Sequence, residues 1–115
     1  MTKLQQFSAV AQVSSLEEPA FILDPETFVI LAANSACEGV VGQPSFRWVG
    51  RSLLTLLEET AREDFKSFVQ LSQRPGMSGI ETRWNLMGHL MDLRATPYQL
   101  SLKQDVLQVV IRSRR

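Results

Sequence analysis

The chain has 115 residues, 44% of them hydrophobic, enough for one domain that buries its own core without cross-links. Its 12 basic and 12 acidic residues balance, which excludes the electrostatic footprint of a nucleic-acid binder; the one basic cluster, Arg112, Arg114 and Arg115, reads as a solvated run. A single cysteine, Cys37, excludes an intramolecular disulfide and a cysteine-built zinc site, and its small, apolar neighbours predict a buried, inert thiol. No apolar stretch nears the roughly 18 residues of a membrane helix, and no apolar signal region follows Lys3. A reducing, cytoplasmic setting is expected.

Residues 2–16 place Leu4, Phe7 and Ala11 at i, i+3 and i+7, which predicts a short amphipathic helix. Such a helix is marginal alone and needs a surface. Glu17-Glu18-Pro19 ends it, because the residue before a proline avoids the α region. Ala20-Phe21-Ile22-Leu23 is a short strand, Asp24-Pro25-Glu26-Thr27 a turn, and residues 28–32 a second strand, giving a hairpin. Both strands are apolar at successive positions, so both sheet faces need a cover. The core supplies one, and the N-terminal helix is the candidate for part of the other.

Asn34 and Ser35 stand at an N-cap for a helix over 36–41, limited by Gly39 and Gly42. Residues 43–49, with Pro44 and Trp48, read as irregular. Ser52 is placed to cap a turn over 53–58, and Thr60 a longer helix with Glu63 in capping-box register. The stripe of that helix is Phe65, Phe68, Val69 and Leu71, and it stops before Pro75-Gly76. Beyond it, Ile80, Thr82, Trp84 and Leu86 share one strand face, and Glu81, Arg83 and Asn85 the other. Gly88 marks a turn. Met91, Leu93, Ala95 and Pro97 then alternate with Leu90, Asp92, Arg94 and Thr96. Residues 99–105 read as a polar loop, and 106–111 as a last strand, apolar on both faces except at Gln108. The order helix, two strands, helices, three strands predicts an α+β fold: a five-stranded antiparallel sheet with helices packed on one face and an N-terminal flanking helix.

In this order the segments resemble the PAS domain family over residues 20–113. Ala20-Phe21-Ile22-Leu23-Asp24 is similar to the first family strand. Ile30 through Gly42 resembles the family's strand, asparagine, small helix and glycine. Val49-Gly50-Arg51-Ser52-Leu53 followed by Leu56 resembles its glycine–arginine segment, and Glu59 to Asp64 its acidic turn. Gly88 and Pro97 fall at its usual hairpin and at the proline after the fourth strand. Many members end the last strand with Asp-Ile-Thr; here Ile111-Arg112-Ser113 lacks that aspartate. The resemblance divides the chain into a flanking helix, 1–18, a PAS domain, 19–113, and the start of a C-terminal linker, 114–115.

The resemblance also frames the ligands. Covalent flavin photochemistry needs a cysteine where Leu53 stands. Haem usually hangs from a histidine on the long helix, where there is none; His89 beside Gly88 reads as a solvated turn residue, and Met77, Met87 and Met91 as core filler rather than axial ligands. For a non-covalent flavin the candidates are Trp48 and Trp84 as stacking rings and Asn34 and Asn85 as edge partners, although Trp84 also reads as plain packing. Arg83 and Arg94 are the cations for a carboxylate ligand, but on strand parity they face outward. The apolar inward positions favour a small apolar ligand or none, and no cofactor is assigned. With one histidine and no phosphate-cradling loop, no catalytic set is identified and the chain reads as a non-enzyme.

What the resemblance implies is a regulatory sensor and dimerisation domain of a cytoplasmic signal-transduction protein, such as a two-component system. It would act as a homodimer and relay a ligand or partner signal to an output domain such as a kinase or cyclase. The expected dimer surface is Leu4, Phe7, Val10 and Ala11 on the helix, with Trp84 and Val109 on the outer sheet. The alternatives are a cofactor-binding redox or small-molecule sensor, with flavin ahead of haem, and a protein-interaction scaffold without ligand, of the trafficking or profilin-like kind.

Overall fold

The computed structural model describes residues 3–41, 48–57, 59–74, 76, 79–86, 89–101 and 104–113; side chains at 3–8, 40–41, 56, 84–86, 89–90, 101, 104 and 113 lie outside the description. Helix α1 (Lys3–Ser14) leads into strands β1 (Ala20–Leu23) and β2 (Ile30–Ala33). Helix α2 (Ala36–Val41), 3-10 turns Leu53–Leu56 and Glu59–Ala61, and helix α3 (Arg62–Ser72) follow, then strands β3 (Ile80–Leu86), β4 (His89–Ser101) and β5 (Gln104–Ser113). The sheet is antiparallel throughout, in the order β2-β1-β5-β4-β3. The expected α+β architecture is present. The turn at Gly88, the terminator at Gly42 and the residues Pro44, Pro75, Met77, Met87, Arg114 and Arg115 fall outside the described residues.

The last strand, β5, lies at the centre of the sheet between β1 and β4, and its 106–111 segment is apolar except at Gln108. On the inner face Phe21, Leu23, Leu93, Ala95, Leu107, Val109 and Ile111 pack with Cys37, Trp48, Leu53, Phe65 and Val69 from the helical layer. The outer face holds a second, smaller cluster: Ala9 and Val13 of α1 lie on Ala20, Ile22, Leu31, Ala32 and Val106. Thus α1 covers the β1–β2–β5 side of the sheet and leaves the opposite corner charged, with Glu81 and Arg83 exposed. A bulge makes β2 serve both layers. Ile22 pairs with Ala32 and Leu23 with Ile30, so Leu31 is an extra residue and joins Ala32 on the outer side.

The segment after α2 closes the free edge of β2. Arg51 O accepts from Ile30 N–H at 2.9 Å, Gly50 N–H donates to Ile30 O at 2.8 Å, and Leu53 N–H donates to Phe28 O at 2.7 Å. Gly50 makes this approach at φ 86°, a conformation that costs little only without a Cβ. Ser52 then caps the following 3-10 turn by accepting from Leu54 N–H at 3.3 Å, as its position in the sequence implies.

Three expectations need correction. The second strand starts at Ile30, not Phe28, because Phe28 takes a left-handed φ of 64° and its N–H closes the turn onto Asp24 O at 2.8 Å. Asp24 Oδ1 accepts from Glu26 and Thr27 N–H in the same turn. Thr60 does not cap α3: the 3-10 turn Glu59–Ala61 runs directly into the helix, and Ala61 makes no side-chain cap bond. The flanks of the expected loop are not free: residues 99–101 and 104–105 lie in strands, while 102–103 fall outside the described residues. Gln99 pairs with Asp105 and Ser101 with Gln104, because backbone ladder bonds hold a ribbon past the core, where side-chain polarity exerts no choice.

Phe65, fully buried between Phe28 and Phe68 with ring centroids at 6.4 and 5.9 Å, anchors α3 to the core. Phe65→Ala is expected to lower the unfolding free energy by about 3–5 kcal/mol in urea titrations. Gln70→Ala, on the exposed face of the same helix, is expected to stay within about 0.5 kcal/mol. Equal costs at the two positions would contradict this packing.

Candidate functional site

The two apolar layers meet at one buried amide. Asn34 follows β2 and is 7% exposed. Its Oδ1 accepts from Ala20 N–H at 3.1 Å, and its Nδ2 donates toward Glu18 O at 2.8 Å, Val13 O at 3.1 Å and Leu16 O at 3.4 Å. These carbonyls lie at the end of α1 and just beyond it, where a helix leaves acceptors without partners. The side chain expected to cap α2 therefore serves the far end of α1. A second polar tie runs across the outer face, where Gln12 Nε2 donates to Gln108 Oε1 at 2.7 Å. Sequence reading missed that pair, although Gln108 is the one polar residue in an otherwise apolar strand segment.

Cys37 stands one helical turn further on. Its Sγ is 3.3 Å from Ala20 O and 3.5 Å from Asn34 Oδ1, and the side chain is fully buried. Burial pushes the thiol up to about 11, outweighing the lowering effect of the backbone hydrogen bonds. At neutral pH the group is an S–H donor and a poor nucleophile.

Deeper in the inner layer, Trp48 is 1% exposed and meets Phe21 edge to face, with ring centroids 6.1 Å apart. Its Nε1–H is a buried donor with no acceptor among the described residues. Such a donor costs about 1–3 kcal/mol unless something accepts from it. On the surface, a groove of about 460 Å³ lies between α3 and β3, lined by Phe68, Leu71 and Ile80 with Asp64, Ser67 and Thr82 at its rim. Among the described residues no cluster of His, Cys, Asp or Glu is able to hold a metal ion, and no helix is long and apolar enough to cross a membrane.

No family profile matches the sequence, and no curated protein matches it. Solved structures do match the fold. The PAS domain of a Desulfitobacterium hafniense protein superposes with a TM-score of 0.68 at 12% identity, over 88% of this chain and 96% of that one. The PAS domain of nitrogen regulation protein NR(II) from Vibrio parahaemolyticus does so with a TM-score of 0.67 at 20% identity, over 99% and 100% of the two chains. This chain folds as a PAS domain. A third similar structure, the PAS domain of the Cronobacter turicensis quorum-sensing receptor RpfR in complex with BDSF, has a TM-score of 0.62 at 17% identity, covering 90% of this chain and 99% of that one.

The PAS fold sorts the residues singled out in the sequence. Two of the four flavin candidates, Asn34 and Trp48, have described side chains. The amide of Asn34 is engaged by α1, Trp48 lies in the core, and Trp84 and Asn85 take register opposite Met91 and Leu90, with side chains outside the description. The Asn34 amide, its hydrogens committed to backbone carbonyls, is not available to the polar edge of an isoalloxazine. His89 pairs in register with Leu86, and its side chain too lies outside the description. Arg83 is bound to Asp92 at 3.3 Å and Arg94 lies against Gly79 opposite Glu81, so the two cations do not form one anion site. Val109 is a correction to the expected interface: it is fully buried in the inner cluster, because Gln108 sets the outward parity of β5 and its neighbour points inward. On α1, Val10 is 45% exposed and Ala11 is exposed, both turned away from the sheet that buries Ala9 and Val13. Leu4 and Phe7 share the register of Ala11, and their side chains lie outside the described residues.

The raised thiol pKa has a sign. The fold favours neutral Cys37, so this contribution to stability is level below its ordinary value of 9.0 and is lost as pH climbs through about 11. Urea midpoints are expected to fall over that window in the wild type and less steeply in Cys37→Ala. Parallel curves would contradict a buried, neutral thiol.

Proposed function

We propose that this chain is a regulatory PAS domain of a signal-transduction protein, acting as a homodimer that senses a small apolar ligand or a partner and relays the signal to an output domain such as a kinase or cyclase. The setting is cytoplasmic. The observation that carries this reading is a PAS fold with α1 laid on the outer sheet and a second apolar edge of that helix, Val10 and Ala11, left exposed. A helix that buries one stripe on its own sheet and presents another suits packing against a second copy. A receptor PAS domain of similar fold in complex with BDSF supports a small ligand here, and the Nε1–H of Trp48, without an acceptor among the described residues, is the buried donor offered to it.

In this mechanism the fold supplies position and shape rather than chemistry. A ligand accepting from Trp48 would press on Phe21 of β1 and on the helical layer, and the sheet would carry the displacement to α1 on its other face. Native mass spectrometry with a visible spectrum on freshly purified protein tests the reading. Dimer mass, with or without the added mass of an apolar metabolite, supports a relay module. A monomer without added mass at micromolar concentration refutes it. Phe7→Glu is expected to halve the mass seen by light scattering while leaving the far-ultraviolet circular dichroism unchanged; an intact Phe7→Glu dimer would remove α1 from the interface.

A further inference from the structure

Helix α1 has little to hold it apart from its docking. It is 12 residues long, with no acidic residue in its first turn and no basic residue in its last, so it draws no support from its own dipole. Among the described residues, what fixes it is the burial of Ala9 and Val13, the Gln12–Gln108 bond, and the amide of Asn34 under its C-terminal end. That amide has two hydrogens for three carbonyls, 16 to 21 residues away in sequence, so it binds the whole 13–18 segment as one unit.

The same side chain faces the other way through its oxygen. Oδ1 accepts from Ala20 N–H, the first residue of β1, and lies against the Cys37 thiol, which also reaches Ala20 O. The backbone of Asn34 donates to Ala20 O and accepts from Cys37 N–H at 3.2 Å, closing the corner between β2 and α2. One residue is therefore shared by the end of the outer helix, the start of the first strand and the first turn of the inner helix. If α1 lifts, Nδ2 loses Val13 O, and if the 15–18 segment follows the helix it loses Leu16 O and Glu18 O as well, inside an apolar layer where an unmatched amide is costly. The corner that holds Cys37 then has to rearrange to let that amide reach water.

We propose that Asn34 is a latch that makes undocking of α1 and opening of the corner around Cys37 a single event. The coupling is reciprocal: anything that displaces α2 from the inner side loosens α1, and anything that pulls α1 from the outer face loosens α2. It holds whichever ligand or partner the domain takes.

Two reporters already present in the chain test this. Glu17 and Glu18, exposed in the segment that Asn34 holds, report release of α1 through cleavage by a glutamate-specific protease. Cys37, the single cysteine, reports opening of the corner through its rate of labelling by an aromatic disulfide reagent at pH 8. Asn34→Asp keeps the acceptor for Ala20 N–H and removes both donors. Val13→Ala weakens docking from the far side of the helix, leaves Asn34 untouched, and provides the test should the first variant not fold. Each variant is expected to raise the cleavage rate between α1 and β1 and the labelling rate by a common factor, about ten- to a hundredfold. Faster cleavage with unchanged labelling in Val13→Ala would overturn the latch. So would a rise in both rates no larger than the loss of global stability in urea accounts for, since Asn34 would then only stabilise the fold.

Discussion

Strands β1 and β2 are apolar at every position, and that constrains everything around them. A four-residue strand with no polar side has no face to give to water. The inner side is met by α2, Trp48, the turn at Leu53 and α3; the outer side is met by α1. The sheet is thus the middle of three layers where β1, β2 and β5 run. At the β3–β4 corner it has two layers, and there Glu81, Arg83 and Arg94 take the outer positions. The bulge at Leu31 follows from the same demand, since it sends two successive residues of β2 to the outer cluster.

Polar groups become consequential in such a structure because so few are inside it. Asn34 is matched on every side, and each match crosses from one element to another. Trp48 Nε1 is unmatched among the described residues. The first arrangement fixes how α1 sits, and the second is a buried donor for which the described residues supply no acceptor. Surface ion pairs such as Lys66–Glu63 at 3.2 Å and Arg83–Asp92 at 3.3 Å are exposed and contribute little by comparison.

Much of this was legible in the residues. The period-2 pattern over 80–83 and 91–95 assigned the inner and outer faces of β3 and β4, and Phe65, Phe68 and Val69 marked the buried stripe of α3. The bounds of α2 follow from the small residues after Asn34. Other features were hidden for physical reasons. Asn34 looks locally like a helix cap, and its true partners are 14 to 21 residues away, beyond any local pattern. Phe28 gives no sign of a positive φ, because nothing in an aromatic side chain favours one. The pairing of Gln99 with Asp105 and Ser101 with Gln104 was hidden because backbone pairing leaves no trace in composition. Val109 was open to correct placement, since Gln108 as the lone polar residue of β5's apolar segment fixes the outward parity. The site was less legible than the fold, because its polar groups act through tertiary neighbours.

The decisive measurement is native-state hydrogen exchange across low urea concentrations. If α1 is a docked, releasable layer over a stable sheet, its amides should exchange through an opening of low free energy and small urea dependence. Amides at 91–95 and 107–111 should exchange only with global unfolding, because both stretches lie in the buried centre of the sheet. A single shared isotherm for α1 and the central strands would contradict this, making the helix an inseparable part of the core with no independent movement to transmit.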